Sequence, residues 1–536
     1  MNKKSVMILG AGLMQRPAIK AAKELGYRAV VVDANENAVC VKEADLFEKI
    51  DLKDKEGLLA FARKINEGES PLAAVFTAGT DFSANTAYVA KTLGLAGHDY
   101  EACLNASNKV RMRKCFLKAG VPSPDFEEVD SVRLEQLIKL AGEGKISFPK
   151  VVKPVDNMGG RGCRLVRSRE ELGEAVKIAL KNSRTSKAIF EDYMEGPEFS
   201  IDAIVYDGTL TITGFADRHI YYPPYFIETG HTMPSQKDEK IKNELIATFA
   251  LGIKSLGLTQ GVAKADIKYT ANGPMIGEIA ARLSGGYMSG WTFPYSSDCF
   301  LTKEALKIAA GLEPDFILQN RTKLEWTPHE SVKNAVQPFE LFELKSKRVS
   351  AERAWLSIPG KIAEVRGLKE AAEVDFVQDV LPRNKAGDEV SFPRNNVEKC
   401  GNIITKAPTH EQAVNAAYEA LNKITLVLEL NNPKTDDFLN GIGLSDEKGF
   451  PPSAFSVKVD FSKVSSIPAG RKAADFIPEE LKSVQTQIRD WNHCTFAQIV
   501  QRFDSIFTDH EELDGKQFWQ AALRGSIQGM LYVAKK

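Results

Sequence analysis

Val151-Val152-Lys153-Pro154 puts a lysine at the end of an apolar strand, and Met158-Gly159-Gly160-Arg161-Gly162 follows as a glycine-rich loop. A cation and a run of backbone N–H groups at that spacing can cradle phosphates. An ordinary turn would leave the Gly-Gly-Arg-Gly run unexplained, because such a loop costs conformational entropy. Farther on, Gly261–Arg282 reads as a β-hairpin. With Ala271-Asn272-Gly273 as a three-residue turn, Asp266 lies directly opposite Glu278. Two carboxylates facing each other on a ladder repel, unless a cation bridges them. Mg²⁺ suits such a pair, being held by one or two carboxylates together with substrate phosphates. Glu278, Ala280 and Arg282 alternate onto one strand face, so a metal ligand and an arginine share a surface. A one-residue slip would send the two carboxylates to opposite faces. Without metal, repulsion within the pair predicts that Glu278→Gln stabilises the protein.

The elements that must position these residues can be read from the apolar periodicity. Residues 5–34 alternate strand, glycine turn, helix and strand, and Pro71–Gly79 repeats the pattern, giving a doubly wound α/β layer of roughly 100 residues. Gly10, Gly12 and Asp33 supply part of a dinucleotide fingerprint, but Gln15 stands at the third glycine, so a plain tight turn is expected. Ser107 is the expected cap of a helix running to Gly120, with Pro122 and Pro124 beyond. From residue 148 strands and hairpins dominate; residues 350–424 are strand-rich and close with a helix at 409–424. Beyond 425 come proline-containing loops and polar helices, with Trp491, Phe503, Phe507, Phe518 and Trp519 implying a packed small domain. Its expected role is oligomerisation or covering the active site.

Composition narrows the function classes. Lys+Arg number 70 against 71 Asp+Glu, which removes the simple electrostatic argument for a nucleic-acid or anionic-membrane partner. The apolar run after Lys3-Lys4 is broken by Gly10 and Gly12 and followed by Gln15-Arg16-Pro17, unlike a secretion signal. No stretch reaches the ~18 apolar residues of a membrane span. Seven cysteines without a CxxC pair form neither a disulfide framework nor a thiolate zinc site, and reduced thiols in a cytoplasmic protein are expected.

The ordered motifs together resemble the ATP-grasp superfamily of carboxylate–amine ligases, over about residues 5–424. Ser107-Asn108-Lys109 opening a helix that ends Lys118-Ala119-Gly120-Val121-Pro122 is similar to biotin-carboxylase-like members. Lys153-Pro154, the loop 159–162, Phe190-Glu191-Asp192-Tyr193-Met194 running to Glu198, and Gly261 through Gly286 follow in the superfamily's order. The fold implied is α/β: an ATP-grasp fold preceded by a doubly wound domain, with an additional C-terminal α+β domain. Its expected divisions are 1–106, 107–330 with a lid at about 150–195, a closing subdomain 331–424, and an extra domain 425–536.

By this resemblance Lys109 and Lys153 hold ATP phosphates while Gly159, Gly160, Arg161 and Gly162 fold over them. Glu191, Asp192, Tyr193 and Met194 form a hinge against adenine, largely through backbone groups, and Glu198 binds ribose. Asp266 and Glu278 carry Mg²⁺, with Mn²⁺ able to substitute, and Lys153 and Arg282 are catalytic, Arg282 neutralising an acyl phosphate. Most members place asparagine two residues after the second metal acid, where this chain has Ala280. Glu278-Ile279-Ala280-Ala281-Arg282 is instead similar to the E-x-A-A-R stretch of L-amino-acid ligases, and Glu228 and His231 to their substrate-binding segment. Glu228, His231, Arg282, Gly285 and Gly286 are therefore the expected substrate residues, the glycines leaving an open wall.

The resemblance implies an enzyme that uses ATP to join a carboxylate, an amino acid, to an amine. Its expected partners are small molecules, with neither nucleic acid nor membrane, and it leaves room for a homo-oligomer. Two alternatives stay open at this level: a carboxylase activating bicarbonate, and an inactive nucleotide-binding regulator.

Overall fold

The computed structural model describes residues 3–441, 449–507 and 509–535. The chain divides into two compact units, one of Met1–His219 with His231–Ser350, the other of Ile220–Gly230 with Ala351–Lys536.

The first unit opens with a four-stranded parallel sheet in the order Leu46–Lys49, Arg28–Asp33, Ser5–Leu9, Leu72–Phe76. Its two central strands, Ser5–Leu9 and Arg28–Asp33, are buried on both faces because helices cover both, as parallel sheets require. The turn after the first strand is closed from within. Gln15 Oε1 accepts from the Ala78 amide at 3.0 Å, its Nε2 donates to the Ala78 carbonyl, and Asp33 accepts from Ala11 N. The plain turn expected from Gln15 is what forms.

Helix Lys109–Ala119 is capped by Asn108, whose side chain accepts from Val110 N and Arg111 N, and stopped by left-handed Gly120. The cap is one residue later than the expected Ser107, which ends the preceding helix Tyr100–Ser107. A second, antiparallel sheet runs Phe126–Val129, Ala188–Asp192, Lys150–Pro154, Arg164–Val166, so this layer begins upstream of residue 150. Helices Ser131–Gly142 and Arg169–Asn182 bury Leu134, Leu137, Leu172 and Val176 with its Val152 and Val166.

The unit's main sheet carries the hairpin. Gly273–Ala280, Gly261–Thr270, Glu198–Tyr206 and Thr209–Tyr221 are successive neighbours. Helix Glu239–Leu256 lies against them, with Met112, Phe116, Phe199, Phe249, Ile253, Ile276 and Ile279 in one core. Each fully buried side chain of this size contributes roughly 1.5–3 kcal/mol, which makes the hairpin a rigid base.

The second unit contains the strands Gly401–Ala407 and Val377–Pro382, paired antiparallel, and a small sheet of Gly360–Arg366 between Glu389–Val390 and Thr425–Leu428. The stretch from 425 shares this unit with 351–424. Asn492 brackets Leu356, accepting its amide at 2.9 Å and donating to its carbonyl, and Gln528 accepts from Ile358 N and donates to Ser357 Oγ. Among the described residues all seven cysteines are free and no helix is long and apolar enough to cross a membrane.

Candidate active site

Asp266 and Glu278 face each other across the hairpin, by a different route from the one expected. The turn has two residues, Ala271 and Asn272, because Thr270 pairs with Gly273. That register alone would misalign the acids. A bulge at Gly277, left without a partner between Ile276 and Glu278, restores the alignment.

Basic side chains neutralise the pair. Arg218 Nη1 lies 2.5 Å from Asp266 Oδ1, Lys264 pairs with Asp266 Oδ2, and Lys109 Nζ stands 3.6 Å from Glu278 Oε2. Burial acts to raise the Glu278 carboxyl, but Lys109, then Lys264, Arg282 and Lys153, outweigh it and hold the group down at about 2. Repulsion between the carboxylates is therefore compensated by these cations, which argues against Glu278→Gln being stabilising. Among the described residues there is no group of three or more His, Cys, Asp or Glu able to enclose a metal. The opposed carboxylates do fit Mg²⁺ of the kind that shares its coordination with phosphates. Ala280, buried beyond Glu278, adds no donor.

The two lysines expected to face phosphates are held from behind. The Lys109 amide donates to Val155 O at 2.9 Å and its Nζ to Asn157 O at 2.9 Å, tying the helix to the start of the glycine loop. Gly159, Gly160 and Gly162 all adopt left-handed φ, and a Cβ on Gly162 would come within 2.9 Å of Asn182, so only glycine fits there. Lys153 Nζ pairs with Glu191 Oε2 at 2.5 Å, and Arg113 Nε lies 2.8 Å from Glu191 Oε1. Arg113 Nη2 continues to Gly277 O at 2.7 Å. Burial would raise Glu191, yet Arg113 and then Lys153 lower it, while Glu191 holds Lys153 raised against its own burial. The Glu191 side chain is thus locked between two cations, whereas this stretch was expected to act largely through backbone groups. Asp192 pairs with Lys150, Tyr193 lies under Lys268 at 5.2 Å, and Lys268 Nζ donates to Met194 O at 3.1 Å. Glu198 takes Arg218 at 2.6 Å and Lys268 at 3.5 Å.

Arg282 is buried beside the pair, its Nη1 donating to Leu283 O at 2.9 Å. Ser284 donates to Asp202, whose carboxyl burial raises to about 7 against the opposing pull of Ser284, Lys264 and Arg282. Gly285 and Gly286 follow; a Cβ on Gly285 would meet only Gly79, at 3.5 Å, and one on Gly286 nothing within 4 Å. Glu228 and His231 lie on the strand Ile227–Met233. Glu228 belongs to the second unit, where its amide donates to Asn396 Oδ1 and its carbonyl accepts from Lys399 Nζ, both at 2.8 Å. His231 belongs to the first, fully buried, with Nε2 2.8 Å from Thr292 Oγ1.

Charged residues of this site that were not singled out from the sequence include Asp81, Arg113, Asp202, Arg218 and Lys264. Two carried a signal. Arg113 stands one helical turn after Lys109, and Lys264 two residues before Asp266 on the same strand face. The other three come together only through sheet register and loop packing.

The chain is similar to known proteins. Residues 146–290 match the ATP-grasp domain model, and residues 354–429 match the L-amino acid ligase C-terminal domain 2. The uncharacterized protein y4rH of Sinorhizobium fredii is 21% identical over 430 residues, 79% of this chain and 83% of its own. Carnosine synthase 1 of Mus musculus is 25% identical over 336 residues, which is 59% of this chain but 40% of that protein. In three dimensions the chain resembles L-amino acid ligase from Bacillus licheniformis, with a TM-score of 0.64, 20% identity, and coverage of 80% of this chain and all of that one.

Proposed function

We propose that the chain activates an amino acid's carboxylate with ATP and joins it to an amine, a reading supported by its matches to the ATP-grasp domain and L-amino acid ligase C-terminal domain 2 models. A carboxylate oxygen attacks the γ-phosphorus of ATP; the P–O bond to ADP breaks and an acyl phosphate forms. The amine nitrogen then attacks the acyl carbon, the C–O bond to phosphate breaks, and the amide leaves with phosphate and a released proton. Both steps concentrate negative charge on moving oxygens, which fixed cations stabilise at little reorganisation cost.

The observation that carries this is the opposed Asp266–Glu278 pair with Lys109 at Glu278 and Arg218 and Lys264 at Asp266. Lys109 and Lys153 are assigned to ATP phosphates under the glycine loop, and Arg282 to the carboxylate being activated. Asp266 and Glu278 would hold Mg²⁺, which supplies charge neutralisation between phosphates when bound. Glu198, Met194 and their neighbours are assigned to the nucleoside end, and Glu228 and His231 to the amino-acid substrates. The shared features with L-amino acid ligases and the carnosine synthases support an amino acid over bicarbonate. The test is ADP and phosphate release by the purified chain across pairs of amino acids, with bicarbonate as the control. ADP release that requires bicarbonate, or none with any carboxylate, overturns the proposal.

A further inference from the structure

The strand that carries Glu278 is an edge of its sheet, and helix Lys109–Ala119 stands where a further strand would pair. Gly273–Ala280 ends the main sheet's order, with Gly261–Thr270 on its inner side. An edge leaves backbone groups pointing outward without ladder partners. Here the helix and the turn after it supply them. Ile276 N donates to Pro122 O at 3.0 Å, Gly277 O accepts from Arg113 Nη2 at 2.7 Å, and Ile279 N donates to Met112 Sδ at 3.3 Å. These contacts span the bulge at Gly277, the feature that brings Glu278 opposite Asp266.

Of these three partners only Arg113 is charged, and its side chain reaches a second strand as well. Fully buried, it sets Nε 2.8 Å from Glu191 Oε1, and the other oxygen of Glu191 holds Lys153 Nζ at 2.5 Å. One guanidinium therefore joins the strand of Glu278 to the strand Ala188–Asp192, and through Glu191 to Lys153 on the strand Lys150–Pro154. Its donors lie in a rigid planar fork, so the spacing between the bulge and Glu191 is fixed by a stiff group. A Cβ on Gly277 would stand 3.0 Å from Asp266 O, which leaves the bulge little room to move inward. Lys109 also reaches Glu278, at 3.6 Å, but as a point charge on a flexible stem.

We propose that Arg113 is a positioning residue that registers the Asp266–Glu278 pair to Lys153, so that the acids assigned to Mg²⁺ and the lysine assigned to phosphates keep one spacing. The inference rests on the nucleotide and Mg²⁺ assignments proposed above. Arg113 acts through Gly277 O on one side and Glu191 on the other. Mg²⁺ demands near-ideal octahedral geometry and shares its coordination between carboxylates and phosphates. Attraction between a lysine and a phosphate is far more tolerant of a displaced strand. Loosening the Arg113 link should therefore weaken what Mg²⁺ adds to ATP binding and spare what the lysines and the nucleoside end contribute without it.

The test measures the Kd of ATP for the full chain by calorimetry, once with Mg²⁺ and once with EDTA. The ratio of the two is the factor by which Mg²⁺ tightens binding. Arg113→Lys keeps a charge beside Glu191, but one ammonium does not span Glu191 and Gly277 O together. It should lower the factor roughly 10-fold, as for the loss of a hydrogen bond to a charged group, with the Kd in EDTA nearly unchanged. Gly277→Ala displaces the same bulge from the strand side and should act alike. Combined, the two should lower the factor no further than the larger one alone, because they act through one contact. If Arg113→Lys shows no cooperative melting, Arg113→Gln with Glu191→Gln, which removes both buried charges, takes its place with the same expectation for the factor. A factor at the wild-type value, however far the melting temperature falls, overturns the positioning role, and so do two substitutions whose effects add. Failure of wild type to bind ATP under either condition instead overturns the nucleotide assignment, and this inference with it.

Discussion

Two ion clusters lie within one unit, and they differ in how much of them water reaches. In the first, Arg113 and Glu191 are 0% and 1% exposed at their side chains and Lys153 is 17%. In the second, Asp266 and Glu278 are 22% and 30% exposed, with Arg218 at 9% and Lys264 at 13%. Burying charges is costly unless each is paired, so the first cluster tolerates no missing member. The second can exchange one partner for another, including a ligand. The comparison teaches that Lys153 is held by a closed scaffold, while the carboxylate pair lies in an open one and is neutralised by its own basic side chains.

The largest effect expected from this contrast is on stability. Glu191→Ala strands Arg113 in the interior, and removing one partner of a buried pair costs about 3–5 kcal/mol. Urea unfolding measures it. A cost no larger than that of Asp266→Asn would erase the distinction between the clusters. Arg113→Ala should cost a similar amount, since it leaves Glu191 with Lys153 alone and frees Gly277 O.

Next comes Glu278→Gln, expected to abolish turnover with the fold intact. Because Lys109 and its neighbours stabilise the charged form, a loss of about 1–2 kcal/mol is expected, between exposed and buried pairs. Increased stability would mean that carboxylate repulsion dominates after all. Lys153→Ala should remove most of the rise in melting temperature that MgATP produces. An unchanged rise would place the phosphates elsewhere.

The titration of Asp202 gives a smaller effect with a definite sign. Its carboxyl is raised to about 7 in the folded chain from an ordinary 3.8. Between those values the native state binds more protons than the unfolded one, so this group makes stability fall as pH rises from about 4 to 7 and level off above. Asp202→Asn should remove that component of the slope. A slope as steep in the variant would assign it to other groups.

How much of this was legible follows the range of the contacts involved. The glycine loop could be read locally, because three left-handed glycines announce themselves by type. The acid pair was found with a turn one residue too long, and the bulge at Gly277 compensated; a bulge is a property of both strands and the glycine alone did not reveal it. Glu191 was visible as part of a motif, but its side-chain role depends on Arg113 and Lys153, which reach it from separate elements. Asp81 depends on the Ala78–Leu283 bridge, a contact between distant segments that no periodicity encodes. The stretch after 425 was expected to stand apart, because its loops hide the side chains that tie it to 355–358.

That last tie gives the smallest prediction. Asn492 replaces a missing strand neighbour for Leu356 by offering both an acceptor and a donor, at 2.9 and 3.3 Å. Its position is fixed by Asp490, which accepts from Asn492 N, Cys494 N and Ser526 Oγ, the last at 2.5 Å. Trp491 between them packs on Phe392 at 5.2 Å, and Phe392 on Tyr222, so the contacts continue to the segment that holds Glu228. Asn492→Ala should cost about 1–2 kcal/mol by leaving the Leu356 groups unsatisfied. If the stretch after 425 supports the substrate segment, the variant should also raise KM for an amino acid a few-fold and leave KM for ATP alone. Equal changes in both, or a stability loss with no change in KM, would confine Asn492 to holding the unit together.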